Sequence, residues 1–378
     1  MKNRKRWLIM PMFLLLLSGC GLFSEETGDS ENQNGANENL QNSSNVVTRN
    51  QLGEEYYRPA SDEEGRYEIS NNRGITLSLN SGINISLFEK DLIRLSQDYY
   101  PTEEHFIKEG QHLSEELVSN WIRRESENNP EGLNPPDSGD DDNRTPRYLN
   151  SILEFDFYTE SDNGLQLSGL SIGLAMNSVD YYQTELGGPT LEQEVSSEEA
   201  LEQGQQMADT IVSRIREVEE LANIPIMIGI YEQSARDDLA GGVYVARGTS
   251  NNGSTSIDNW DMLNEERMIF PLEGSDSAEG NAFANFQSEV ESFFPNISGI
   301  TGLAHYIDDG LDSLSIQIMT QFYGEAEMIA YTQYLKQSAT TYLPTDLDVE
   351  IIVESPDSVE AFLKKERVDS EYFSYVFD

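Results

Sequence analysis

Four consecutive residues, Leu17-Ser18-Gly19-Cys20, place the chain's one cysteine directly after small side chains that fit a processing protease. The thiolate form of a cysteine is a nucleophile, and here it is suited to accept a diacylglyceryl group. The quartet matches the bacterial lipobox, in which cleavage before the cysteine leaves a lipidated N-terminus. Upstream, Lys2, Arg4, Lys5 and Arg6 make a positive start, followed by an apolar run from Trp7 to Leu17 that only Pro11 interrupts. That run is too short for a comfortable permanent membrane span. Basic, then apolar, then small is the order of a secretory signal peptide. Residues 1–19 are therefore read as the signal and Cys20 as the lipidation site.

Other residues invite chemistry and carry it less well. Gly169-Leu170-Ser171-Ile172-Gly173 matches G-x-S-x-G, whose serine is a nucleophile only on a sharp strand-to-helix turn. Here the motif lies inside an alternating strand, with a polar loop after it, which points to a strand of small residues where helices pack closely. His105 and His112, seven apart, would share a face of a helix near 103–125. With no H-E-x-x-H pattern and no cysteine partner they make a poor zinc set, and His305 reads as a strand-surface residue. Asp140-Asp141-Asp142-Asn143 opens like a calcium loop, but Arg144 and Thr145 fill the fifth and sixth positions, where a ligand and a glycine belong. Neither a phosphate-binding G-x-x-x-x-G-K nor a basic aromatic patch is present. The expectation is a body without enzymatic chemistry, metal, cofactor or nucleic-acid partner. The tyrosine pairs Tyr56-Tyr57, Tyr99-Tyr100 and Tyr181-Tyr182 suit core packing or a groove for a peptide or glycan.

The elements that must position these residues follow from composition. The chain has 68 acidic and 24 basic residues and a formal charge of −44. Residues 1–19 hold four basic residues and no acidic one, so their removal takes the charge to −48. Such a surface repels nucleic acid, anionic lipid and itself, and salt screens that repulsion, which suggests a salt-rich habitat. A single cysteine excludes an intrachain disulfide, so core packing must hold the body together. Residues 20–50, rich in Asn, Glu, Ser and Gly, read as a disordered tether.

The body looks duplicated. "ILEFDFYTESDNGLQLSGLSIGLAM" and "ITGLAHYIDDGLDSLSIQIMT" each give strand, turn, strand. Leu170-Ser171-Ile172-Gly173-Leu174 aligns with Leu314-Ser315-Ile316-Gln317-Ile318. A helical segment follows each hairpin, Ser197 to Leu221 and Glu325 to Tyr342, and the first carries Met207, Ile211, Ile215 and Val218 on one face. Each leads to a strand, "IPIMIGIY" or "LDVEIIVE". Upstream, "LIRLSQDYYP" resembles "FQSEVESFFP", and "EYYRPAS" sits where "VYVARGTS" sits in the later copy. The expected architecture is α+β, with two related tandem units, each a β-hairpin, a packing helix and a further strand. Their bounds are 51–235, enlarged by the 103–125 helix and the acidic loop at 127–146, and 240–355, with 356–378 as a C-terminal tail.

With lipobox, tether and tandem units in place, the sequence resembles the CamS family, lipoproteins of Gram-positive bacteria described as sex-pheromone precursors. "EYYRP", "LEFDFYTE", "SIGLAMNSVDYY" and "IPIMIGIYEQ" carry the resemblance, which extends to about residue 355. It implies a short apolar peptide released from the signal tail, matching Phe13-Leu14-Leu15-Leu16-Leu17-Ser18-Gly19. It also implies partners of the diacylglyceryl transferase and signal peptidase II type, and a lipid anchor on the outer face of the cell membrane. The alternative is a surface-exposed lipoprotein that binds a peptide or glycan in a groove between the two units. The two differ in what they require: a processed 13–19 peptide, or a concave aromatic site.

Overall fold

The computed structural model describes residues 52–62, 64–70, 72–76, 78–137, 144–272, 277–293, 297–321 and 324–377. The signal, lipobox, Cys20, tether and Asp140–Asn143 run lie outside the described residues. No helix among those described is long and apolar enough to cross a membrane.

The chain runs β1 (Arg58–Pro59), α1 (Arg73–Thr76), α2 (Gly82–Ser96), β2 (Phe106–Glu109), α3 (Glu115–Trp121), β3 (Leu149–Ser161) and β4 (Gly164–Asn177). It continues through β5 (Val179–Tyr182), β6 (Leu191–Glu194), α4 (Ser197–Ile215), β7 (Ile226–Gln233), β8 (Val243–Ser250) and β9 (Asn259–Met262). It ends with β10 (Glu265–Phe270), α5 (Ala278–Phe293), β11 (Ile297–Ile307), β12 (Gly310–Thr320), α6 (Glu325–Tyr342), β13 (Asp348–Glu354), β14 (Val359–Lys365) and β15 (Phe373–Val376).

Two large sheets result, in the orders β1-β2-β3-β4-β7-β8-β9 and β10-β11-β12-β13-β14-β15, and β5-β6 pair as a separate two-stranded sheet. In each large sheet, an antiparallel hairpin (β3/β4, β11/β12) is followed by a crossover helix and a strand parallel to the hairpin's second arm. The aligned segments are equivalent: Leu170 pairs with Ile226 on β7, and Leu314 with Val349 on β13. The second hairpin turns on Asp308 and Asp309, both at positive φ, the backbone that a tight two-residue hairpin loop requires.

The pairing moves the repeat's bounds. β2-β3-β4-β7-β8-β9 matches β10 to β15 strand for strand, including the single parallel pair. Val243–Ser250 therefore closes the first sheet rather than opening the second, and the divide falls between Met262 and Glu265 instead of at 235–240. Residues 356–378, expected as a tail, contain β14 and β15. The expected 103–125 helix is β2, a loop and the short α3, and α3 stands where α5 stands in the second unit. What the first unit adds is α2 with β1, and the hairpin β5/β6. "LIRLSQDYYP" ends α2, which has no counterpart in the second unit, so its likeness to "FQSEVESFFP" in α5 is not structural.

Packing explains why α2 is there. β4 is buried almost continuously from Gly169 to Asn177, as a strand covered on both faces must be. The α4 face carries Leu170, Ile172 and Leu174 against Met207, Ile211 and Val212. The α2 face packs Phe88, Leu92 and Leu95 on Phe155, Ala175 and Met227. In the second unit α5 and α6 share one core on one face, and β12 alternates, with Gln317 exposed. α4 ends at Ile215, so Val218 lies beyond it and is half exposed.

Candidate functional site

The residues first singled out for chemistry are dispersed. Ser171 is buried in mid-strand; its hydroxyl shares a 2.7 Å hydrogen bond with Ser96 of α2, and β4 runs on to Asn177 without a turn. The flanking glycines serve that contact, since a Cβ on Gly173 would stand 2.7 Å from the Phe88 ring and 2.8 Å from the Tyr244 hydroxyl. His105 packs edge-on against Tyr100, and its Nδ1 lies 2.9 Å from the Pro101 carbonyl. His112, between β2 and α3, has Nε2 3.7 Å from Asp156. His305 is buried rather than on the strand surface, 3.0 Å from Glu265. The histidines thus occupy separate places. Among the described residues no group of three or more His, Cys, Asp or Glu could hold a metal ion.

A site does emerge where the first unit departs from the second. Ile122–Arg124, Arg144 and Arg147 from the connection between α3 and β3, and the hairpin β5/β6 after β4, line one cleft of about 940 Å³. In the second unit β12 ends at Thr320 and α6 starts at Glu325, leaving no room for such a hairpin. Arg123, Arg124, Arg144, Arg147 and Arg236 line the cleft, with Tyr181 and Tyr182 from β5. This is a concentration of cations in a chain where acids outnumber bases by nearly three to one.

Asp180 of β5 organises these side chains. Its buried carboxylate accepts Nη1 of Arg144 at 2.6 Å, the backbone N–H of Arg147 at 2.8 Å and Nε of Arg147 at 3.3 Å. Arg124 donates to the carbonyls of Pro135 and Thr145 and lies 4.0 Å from Asp180. The Arg144 guanidinium stacks 3.9 Å above the Tyr182 ring, and that of Arg236 stacks 3.9 Å above Tyr181. Stacking fixes the plane of each fork, and a planar fork suits a carboxylate or phosphate. Burial and the neighbouring Arg144 hold the Arg124 guanidinium below its ordinary range, against the opposing pull of Asp137 and Asp180.

Sequence reasoning reached Tyr181 and Tyr182 but not the arginines. The signal was the spacing of Arg123, Arg124, Arg144 and Arg147 around an acidic loop, and charge totals alone conceal it. The cleft also lies within the first unit (its lining residues run from Ser78 to Arg236) rather than between the two.

A second buried group is a carboxylate pair on β3. Glu154 accepts backbone N–H groups of Leu113 at 2.9 Å and His112 at 3.3 Å, and Asp156 that of Gln111 at 3.0 Å. Burial raises Glu154 to about 7, and burial with the adjacent Glu154 raises Asp156. Both are sealed from solvent, so their chemistry is structural.

Comparison with known proteins places this geometry. The family model described as CamS sex pheromone cAM373 precursor matches residues 67–371. No curated protein matches the chain. A sex pheromone precursor of Lactobacillus salivarius subsp. salivarius UCC118 is 33% identical, with a TM-score of 0.82 over 87% of this chain and 98% of that one. The C-terminal domain of the sex pheromone staph-cAM373 precursor from Staphylococcus aureus is 29% identical, with a TM-score of 0.70 over 79% and 98%. Since the family model spans both sheets and the solved relatives share their arrangement, the chain belongs to the CamS family of sex pheromone precursors.

Proposed function

We propose that the chain is exported and lipidated on Cys20, and that the tail of its signal segment, Phe13 to Gly19, is released as a short apolar peptide. The observation that carries the reading is the coincidence of two independent features: a lipobox at Leu17-Ser18-Gly19-Cys20 and a body matched to pheromone precursors over residues 67–371. A diacylglyceryl transferase modifies the thiolate, a peptidase of the signal peptidase II type cuts before Cys20, and a second peptidase hydrolyses the Met12–Phe13 bond of the freed signal segment. The lipid then holds the body on the outer face of the cell membrane. Two acyl chains give a stable anchor where one would give marginal binding. The body takes no catalytic part in these steps.

Mass spectrometry of the culture medium tests the proposal. The Phe13–Gly19 peptide is expected from cells making the native chain and absent from cells making Cys20→Ala. Lipidated protein accumulating without any such peptide in the medium would reduce the stretch to a targeting signal and overturn the release step.

A further inference from the structure

Among the described residues, those that line the basic cleft carry more positive charge than negative. Among the described residues that line it, five are arginines and Asp180 is the single carboxylate. Asp180 is already saturated by Arg144 and Arg147. Arg123 and Arg236 are exposed and have no carboxylate within ion-pair distance among the described residues. Arg147 is half exposed, with Nε on Asp180 and Nη2 3.5 Å from the Tyr181 carbonyl. Buried or stacked guanidinium groups with unmatched charge are stabilised by an added anion.

The size and the surroundings select the kind of anion. About 940 Å³ is the scale of a small-molecule pocket and far exceeds one inorganic ion. Outside the cleft the chain is strongly negative, which repels a long polyanion at distance but leaves a short one free to reach a local positive well. Arg236 is held against the Tyr181 ring and Arg147 on Asp180, so these two side chains lose little entropy on binding. We infer that the cleft binds a small ligand bearing two or more oxyanion groups, phosphate or carboxylate, with Arg123, Arg147 and Arg236 making the direct contacts. The insertions that build the cleft are absent from the second unit, so the site belongs to the first unit alone. It is independent of what becomes of the signal tail.

Calorimetric titration of the purified full chain with pyrophosphate and with citrate, at low and at physiological salt, tests this. Saturable binding of at least one ligand at one site per chain is expected, weaker at higher salt. Arg123→Gln and Arg236→Gln should each weaken it about tenfold, the effect of one lost charge-assisted hydrogen bond. Both side chains are exposed, so the melting temperatures of the ligand-free variants should match that of the native chain. Preference for pyrophosphate assigns the site to phosphates, preference for citrate assigns it to carboxylates, and equal binding supports recognition of the shared oxyanion charge. Absence of saturable heat and of any thermal shift with both ligands at millimolar concentration overturns the inference. So does undiminished binding in the Arg123→Gln, Arg236→Gln double variant.

Discussion

Glu154 and Asp156 stand two apart on β3, so they share a face, and the fold buries both beneath the 110–113 backbone. A protonated carboxyl tolerates such a site better than an ionised one, which is why Glu154 rises from the ordinary 4.5 to about 7. In that window the native chain holds a proton that the unfolded chain has released, so stability falls as pH rises from 4.5 to about 7. Replacement by Gln removes the ionisation and preserves the shape. The loss of stability over this window, followed by urea denaturation, should shrink on the order of 1–3 kcal/mol in Glu154→Gln. An identical pH profile in the variant would show that Glu154 titrates alike in the folded and unfolded chains, and that burial does not shift it. The sequence "LEFDF" made the strand legible through its alternation, but not what covers its acidic face. What covers that face comes from residues 110–113, some forty positions upstream, and no local pattern in β3 signals it. Ser171 is the opposite case. Its neighbours Gly169 and Gly173 announced close packing: the Tyr100 ring fills the space at Gly169, and the Phe88 and Tyr244 rings that at Gly173.

At the scale of elements, α2 is both the addition to the first unit and the link to the second sheet. Asp91 on its buried side accepts Nη2 of Arg267, on β10, at 2.5 Å, and Nε of Arg94 at 3.3 Å. Arg94 in turn donates from Nη2 to both carboxylate oxygens of Glu265 at 2.8 and 2.9 Å, and Glu265 is also 3.0 Å from His305. Arg94 and His305 hold Glu265 below the ordinary carboxylate range despite its burial. Removing one member of a buried network leaves a charge without a counter-ion, which costs far more than the intact pair contributes. Asp91→Ala is therefore expected to destabilise the chain by about 3–5 kcal/mol, with Arg267 the stranded charge. A double-mutant cycle with Arg267→Met should recover much of that loss. A cost below about 1 kcal/mol, typical of an exposed pair, would mean that the network is hydrated and does not join the layers. This is where sequence comparison misled. The hairpin, crossover helix and parallel strand were legible because β4 and β12 share apolar letters at the same spacing. β2 and β10, "FIKE" and "EERMIF", are equivalent only through pairing, and short edge strands have too few buried positions to share a pattern. The visible likeness of α2 to α5 filled the gap and shifted the frame.

At the scale of the whole molecule the dominant fact is a formal charge of −44 on 378 residues, and it was legible before any fold. Composition could not reveal how unevenly the positive charges are spent, with five arginines in one cleft and two more in the α2 network. The remaining surface is left with acidic residues that repel one another. That repulsion acts over distances of about 10 Å at 0.1 M salt and about 3 Å at 1 M. Salt also weakens surface pairs such as Arg66 with Asp62 and Arg367 with Asp312, but exposed pairs contribute at most about 1 kcal/mol each. The buried Asp91, Arg267 and Glu265 contacts are shielded from it. Relief of repulsion should therefore outweigh the loss of pairs, and the melting temperature should rise between low salt and molar sodium chloride. The rise should flatten toward 1 M, where the screening length falls below the spacing of neighbouring surface charges. A direct interaction of salt with apolar surface would instead keep rising without a plateau and would be larger for sulfate at equal ionic strength. A melting temperature that falls with added chloride would mean that surface ion pairs, not repulsion, govern the stability of this body.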